Sequence, residues 1–169
     1  MTHALIVIDA QNGFRNSHTE QVLPILVSVV AKSENPILFT RFINTSDSSF
    51  ERFLKWKKMY GGLEIEIVPE LVPFVASAHV FDKTGYSAMK NDLFLAALQK
   101  LGVDSIELCG FDTDACVLAT ALDAFEMGYR TFVRADCCAS GGGDRFHQAG
   151  LEILKRNLGE VAVINRLAR

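Results

Sequence analysis

Along this chain, apolar runs of strand length alternate with apolar stripes at helical spacing, and that alternation leaves few folds open. Residues 4–8, Ala-Leu-Ile-Val-Ile, form a continuous, partly β-branched run that stops at Asp9, the pattern of a strand covered on both faces. Leu23, Leu26, Val27 and Val30 then recur at i, i+3, i+4 and i+7, which marks a helix with one buried face. Asn35-Pro36 ends that helix, and residues 37–40 make a second strand. Residues 79–82 are a third strand, followed by the helical stripe Phe94, Ala97, Leu98 and Leu101. After Gly102 the pattern repeats with a strand over 105–109, a helix through Leu118, Ala121, Leu122 and Phe125, and a strand over 131–133. Asp144 is placed to cap a last helix carrying Leu151, Leu154 and Leu158, and residues 161–164 close the series as a strand. Strands joined through helices run parallel, with the helices covering both faces. The expectation is an α/β chain with a parallel sheet between two helical layers.

One stretch departs from this rhythm. In residues 42–78, a short helix starts at Ser48-Ser49, runs through Phe53 and Trp56, and ends at Gly61-Gly62, before an extended segment with Pro69 and Pro73. No repeat, low-complexity tract or linker interrupts the chain. Its 169 residues suit one domain with a core of its own. The net charge of −3 argues against a nucleic-acid platform, which shows a basic excess or stripe. No apolar run approaches the ~18–20 residues of a membrane span. The start, Met1-Thr2-His3-Ala4, lacks the basic and cleavable pattern of a secretory signal, so a cytoplasmic protein is expected.

In parallel α/β sheets, ligands bind beyond the carboxyl ends of the strands. Three residues stand there: Asp9 after the first strand, Lys83 after the third, and Cys116 a short turn beyond the fourth. Each has an ordinary reading, as a cap or turn acid, a solvated cation and a small apolar filler respectively. At the start of a helix, however, Cys116 meets free N–H groups and the positive end of the dipole, which favour a reactive thiolate. The other three cysteines read differently. Cys109 lies inside a strand and belongs to the core, while Cys137 and Cys138 follow the fifth strand and read as structural, with redox sensitivity as the alternative. Adjacent cysteines rarely meet disulfide geometry with each other.

Three motifs occur in order: Ile6-Val7-Ile8-Asp9-Ala10-Gln11-Asn12-Gly13-Phe14, Phe81-Asp82-Lys83-Thr84-Gly85-Tyr86-Ser87-Ala88 and Gly110-Phe111-Asp112-Thr113-Asp114-Ala115-Cys116-Val117. Together the chain resembles the isochorismatase-like cysteine hydrolases, from Ala4 to about Ile164. The resemblance implies a six-stranded parallel sheet and an Asp9–Lys83–Cys116 triad that hydrolyses C–N bonds of small amides. It implies a cis peptide between Phe111 and Asp112 and assembly as a homodimer or homotetramer. Chemistry makes sense of the residue types: Cys116 attacks the carbonyl, Asp9 moves the proton, and backbone N–H groups between Asp112 and Cys116 receive the oxyanion.

The departures from the family pattern are equally informative. Nicotinamidases of the family bind a metal through Asp-x-His and a further His after the second strand. Here that segment reads Thr40-Arg41-Phe42-Ile43-Asn44-Thr45, and His3, His18, His79 and His147 are scattered. No metal and no cofactor are therefore expected. Isochorismatase proper lacks the nucleophilic cysteine, so Cys116 points to amide chemistry. Ser140-Gly141-Gly142-Gly143-Asp144 lacks the Gly-Lys-Ser/Thr ending of a phosphate loop. Phe14, Arg41, Trp56 and Tyr86 are expected to wall a pocket for a small-molecule substrate, though Phe14 and Trp56 serve equally well as core aromatics. A carbamoyl, ureido or ester-type substrate remains an alternative, as does a non-catalytic binding or thiol-sensing protein.

Overall fold

The computed structural model describes residues 2–75 and 79–165. Within them, six strands form one parallel sheet: β1 (Thr2–Ile8), β2 (Ile37–Phe42), β3 (His79–Lys83), β4 (Val103–Phe111), β5 (Arg130–Ala139) and β6 (Val163–Ile164). The helices are α1 (Leu23–Ala31), α2 (Ser49–Leu54), α3 (Val72–Val75), α4 (Asp92–Lys100), α5 (Leu118–Glu126) and α6 (Asp144–Leu158). Right-handed crossovers place α1 on one face and α4, α5 and α6 on the other, giving three layers.

Strand order is β3-β2-β1-β4-β5-β6, so the chain winds one way from β1 and the other way from β4. Neighbouring strands whose connections diverge open a crevice at their carboxyl ends, the usual ligand position in this architecture. Burial follows the same order. β1 from Ala4 and β4 from Ser105 are buried throughout, whereas edge strand β3 is buried only at Lys83. Ile8 pairs with Gly110 at the end of this central pair. Gly110 has φ +112°, and a side chain there would collide with the Ile8 carbonyl. Only glycine lets the strands that carry Asp9 and Cys116 close to this distance.

Several boundaries differ from the sequence reading. β5 runs on to Ala139, so Cys137 and Cys138 lie inside the strand, not after it. The polar residues that suggested an earlier end are paired: Arg134 meets Glu107 at 3.3 Å and Asp136 at 3.1 Å. The last strand is shorter than expected, because residues 160–162 form a 3-10 turn. Asp144 is the first residue of α6 and makes no cap, the cap position belonging to Gly143. α2 stops at Leu54, where Lys55 adopts φ +57°, and the reversal sends Trp56 out of the helix. Cys116 sits in one wide, π-type turn over Thr113–Val117 that precedes α5.

Candidate active site

Asp9, Lys83 and Cys116 converge in the crevice between β1 and β4. Asp9 follows β1 directly with a left-handed backbone (φ +46°) and is fully buried. Its Oδ1 accepts the Thr40 hydroxyl at 2.7 Å from the neighbouring strand β2. Its Oδ2 lies 2.7 Å from Lys83 Nζ in a buried ion pair. Lys83, the last residue of β3, also donates to the Gly85 carbonyl at 2.8 Å and to Cys116 Sγ at 3.4 Å. The Phe42 ring lies 5.3 Å from the same ammonium.

The turn that carries Cys116 is held from both sides. The Asp112 carbonyl accepts the N–H groups of Ala115 and Val117, each at 3.1 Å. α6 presses on its outer side at Gly150, where a side chain would run into the Asp114 backbone. Thr113 Oγ1 pairs with His147 Nδ1 on α6 at 2.8 Å. The peptide bond between Phe111 and Asp112 is cis.

Burial pushes the Cys116 thiol well above its ordinary value, and the neighbouring Asp9 adds to this more than Lys83 offsets it. Lys83 lowers the thiol pKa as the sequence reading expects, but burial and Asp9 oppose it. Desolvation penalises the charged sulfur and the nearest carboxylate repels it, and both favour the thiol. Burial works against the Lys83 cation too, but Asp9 and Cys116 outweigh it and hold the ammonium above its usual range. The site thus sets a cation beside both the sulfur of Cys116 and the carboxylate of Asp9.

A cavity of about 530 Å³ opens above Cys116, lined by Phe14, Phe42, Phe50, Trp56, Tyr86 and Asp112 among others. That size suits a small ligand. Phe14 stacks on Trp56 at 6.2 Å, and Phe50 meets Phe42 and Tyr86 edge-on at 4.9 Å and 5.0 Å.

A family model for the isochorismatase domain matches residues 3–165. The chain belongs to the isochorismatase family. Among its relatives there, maleamate amidohydrolase of Pseudomonas putida is 31% identical, over 94% of this chain and 81% of that protein. Nicotinamidase 3 of Arabidopsis thaliana is 28% identical, over 88% of this chain and 78% of its own. The solved pyrazinamidase/nicotinamidase of Streptococcus mutans superposes with a TM-score of 0.85 at 27% identity, covering 96% of this chain and all (100%) of that one. By their names, these isochorismatase-family relatives are hydrolases of C–N bonds.

Phe14, Trp56 and Tyr86 line the cavity as expected pocket wall, but Arg41 does not. On β2 the side chains alternate, so Thr40 and Phe42 face the site and Arg41 points away. Its guanidinium is held by Asp82 at 2.7 Å and 3.0 Å and by Glu66 at 3.5 Å. A metal site does not fit this family member either. In the segment after Thr40, Phe42 belongs to the aromatic wall. The Asn44 amide fastens a loop, donating to Lys58 O at 3.0 Å and accepting the Ser48 hydroxyl at 2.7 Å. Among the described residues, no three His, Cys, Asp or Glu side chains gather where they could hold a metal ion. Nor is any described helix long and apolar enough to cross a membrane.

Sequence reasoning did not find Thr40, Gln11, Phe42 or Phe50. Buried Gln11 clamps the Phe42 backbone, accepting its N–H at 2.7 Å and donating to its carbonyl at 3.0 Å. An uncharged polar side chain two residues past Asp9 was the available signal, since burial of an amide demands partners.

Proposed function

We propose that this hydrolase is a metal-independent cysteine amidohydrolase that cleaves the C–N bond of a small amide through a thioester on Cys116. The observation that carries the reading is Lys83 Nζ, 3.4 Å from Cys116 Sγ and 2.7 Å from Asp9 Oδ2, at the foot of the aromatic cavity. As sulfur attacks the amide carbonyl, Asp9 accepts the thiol proton, and the C–S bond forms with an oxyanion on the former carbonyl. The Ala115 and Val117 N–H groups are spent on the Asp112 carbonyl, and other N–H groups of the turn from Asp112 to Cys116 receive this oxyanion. Each such donor is typically worth about 3–4 kcal/mol to the transition state. The tetrahedral intermediate collapses as Asp9 hands its proton to the departing nitrogen, leaving a thioester and a free amine or ammonia. Water then enters, Asp9 takes one of its protons, and the hydroxide adds to the thioester carbonyl. The C–S bond breaks and the proton returns to sulfur.

Throughout, Lys83 remains a cation. It offsets the charge that moves between carboxylate and sulfur and holds both groups within reach of one proton. Support for independence from a metal comes from the side chains present at residues 40–45, which supply no His.

The test is to quench the protein during turnover of a panel of small amides and measure its mass. An acyl adduct on the Cys116 peptide is expected, together with ammonia release that Cys116→Ala abolishes. Ammonia release that persists in Cys116→Ala would rule out the covalent route.

A further inference from the structure

The mechanism uses the backbone of Asp112 but leaves its carboxyl without a role, although this is the one acidic side chain among the described residues lining the cavity. Asp112 stands at the N-cap of the turn carrying Cys116, where an Asp ordinarily accepts a hydrogen bond from the N–H groups of its own turn. It makes no such bond. Instead Oδ1 accepts the Gly141 N–H at 2.7 Å, from the loop between β5 and α6. Gly141 is itself anchored by the Asn16 amide, which donates to its carbonyl at 3.0 Å. One carboxyl oxygen is thus tied down, while Oδ2, on a residue that lines the cavity, has no donor among the described residues.

Among the described residues, no cation is paired with this carboxyl. The charged groups that act on it most, Asp114 in the turn and Asp9 beyond β1, are both acidic. Of the cationic side chains on the cavity wall, Arg15 is already paired with Glu20 at 3.1 Å and Glu70 at 3.0 Å, and Lys58 is exposed at the rim. Opposite stand the rings of Phe14, Phe50, Trp56 and Tyr86, whose faces also attract positive charge. An unbalanced carboxylate beside a forming oxyanion raises the energy of the transition state. A substrate that brings its own donor or positive charge to Oδ2 removes that penalty.

We infer that Asp112 selects the substrate: a small, flat amide with an amino or ammonium group near the scissile carbonyl is accepted, and a carboxylate in that place is refused. This rests on the amidohydrolase reading of the same cavity. Burial lifts the Asp112 carboxyl to about 6, so the preference is present at neutral pH and fades on acidification as the carboxyl takes up a proton. Asp9 and Asp114 act on it, the Gly141 N–H is bonded to it, and Cys116, Tyr86, Arg15 and Lys58 share its cavity wall.

The test compares three matched amides, meta-aminomethylbenzamide, benzamide and meta-carboxybenzamide, by calorimetric binding to the Cys116→Ala protein. At neutral pH the cationic amide is expected to bind about tenfold tighter than the neutral one, and the anionic amide more weakly than either. Asp112→Asn keeps the shape and can still accept the Gly141 N–H, and in that background the spread should collapse. Should that variant fail to fold, the spread in the Cys116→Ala protein must still narrow as pH falls through about 6. Equal binding of the cationic and anionic amides, no binding by any of the three, or a spread that survives both Asp112→Asn and acidification overturns the inference. Ammonia release from the same amides by the unmodified protein reads the chemistry separately. Turnover without charge preference removes only the role of Asp112, whereas charge-selective binding without turnover removes only the amidohydrolase reading.

Discussion

The Lys83 ammonium lies 2.7 Å from Asp9 Oδ2, and solvent reaches only 3% of one side chain and none (0%) of the other. A buried pair of this kind is costly to assemble and more costly to break, because either partner left alone is an uncompensated charge in a poor solvent. Its position between β1 and β3 ties the pair to the fold as well as to the chemistry.

Replacing Lys83 by Met should therefore remove both turnover and stability, the latter by about 3–5 kcal/mol in denaturant unfolding. The folded state raises the Lys83 pKa, so its stabilisation is fully present below the unfolded value of about 10.4. It is lost only as pH rises through the still higher folded value. The margin of the unmodified protein over Lys83→Met should stay flat to about pH 10 and shrink above it.

Asp9→Asn separates acidity from catalysis. Asp9 raises the pKa of the Cys116 thiol, so removing its charge increases the thiolate fraction at neutral pH. Iodoacetamide should alkylate Cys116 faster in the variant than in the unmodified protein, while turnover falls by about 10²–10⁴-fold for loss of the proton carrier. Slower alkylation would mean that Asp9 activates the sulfur at rest, contrary to the proton transfer described above.

Gly110→Ala tests the close approach of the central strands. The new methyl group meets the Ile8 carbonyl at a backbone position with φ +112°. Left-handed strain and overpacking together should cost about 3 kcal/mol or more. A Tm within a degree of the unmodified protein would refute this packing.

Trp56→Ala opens one wall of the cavity without touching the triad. The stacked partner of Phe14 at 6.2 Å is lost, and KM should rise by about tenfold with a smaller change in kcat. A fall in kcat alone would place Trp56 in the reaction rather than in binding.

The residues that mark the fold were legible because they obey local rules. Residues 4–8 announce a doubly covered strand by being apolar without interruption. The stripes of α1, α4 and α5 announce helices by spacing, and the order of the elements then demands a parallel sheet. Asp9, Lys83 and Cys116 could be singled out because strand ends are where such sheets bind ligands, and their motifs carry the family resemblance. Strand ends were less legible: β5 continues through Arg134 and Asp136 because partners on β4 and β5 satisfy them, and partners distant in sequence leave no local trace.

Facing directions and net electrostatics were decided by tertiary structure alone. Arg41 and Phe42 are neighbours in sequence, yet pleating turns one outward to Asp82 and the other into the cavity. The motif placed a cysteine at a helix start and suggested that a thiolate is favoured, but burial and the carboxylate of Asp9 raise its pKa more than the Lys83 ammonium lowers it. Asp112 could have been a cap, and only the loop at Gly141 shows that its carboxyl is held elsewhere. The alternation of strand and helix determined which elements exist and in what order. What the crevice can do was decided by the few ångströms between groups that the chain keeps far apart, since charge, burial and hydrogen bonding depend on distance in space.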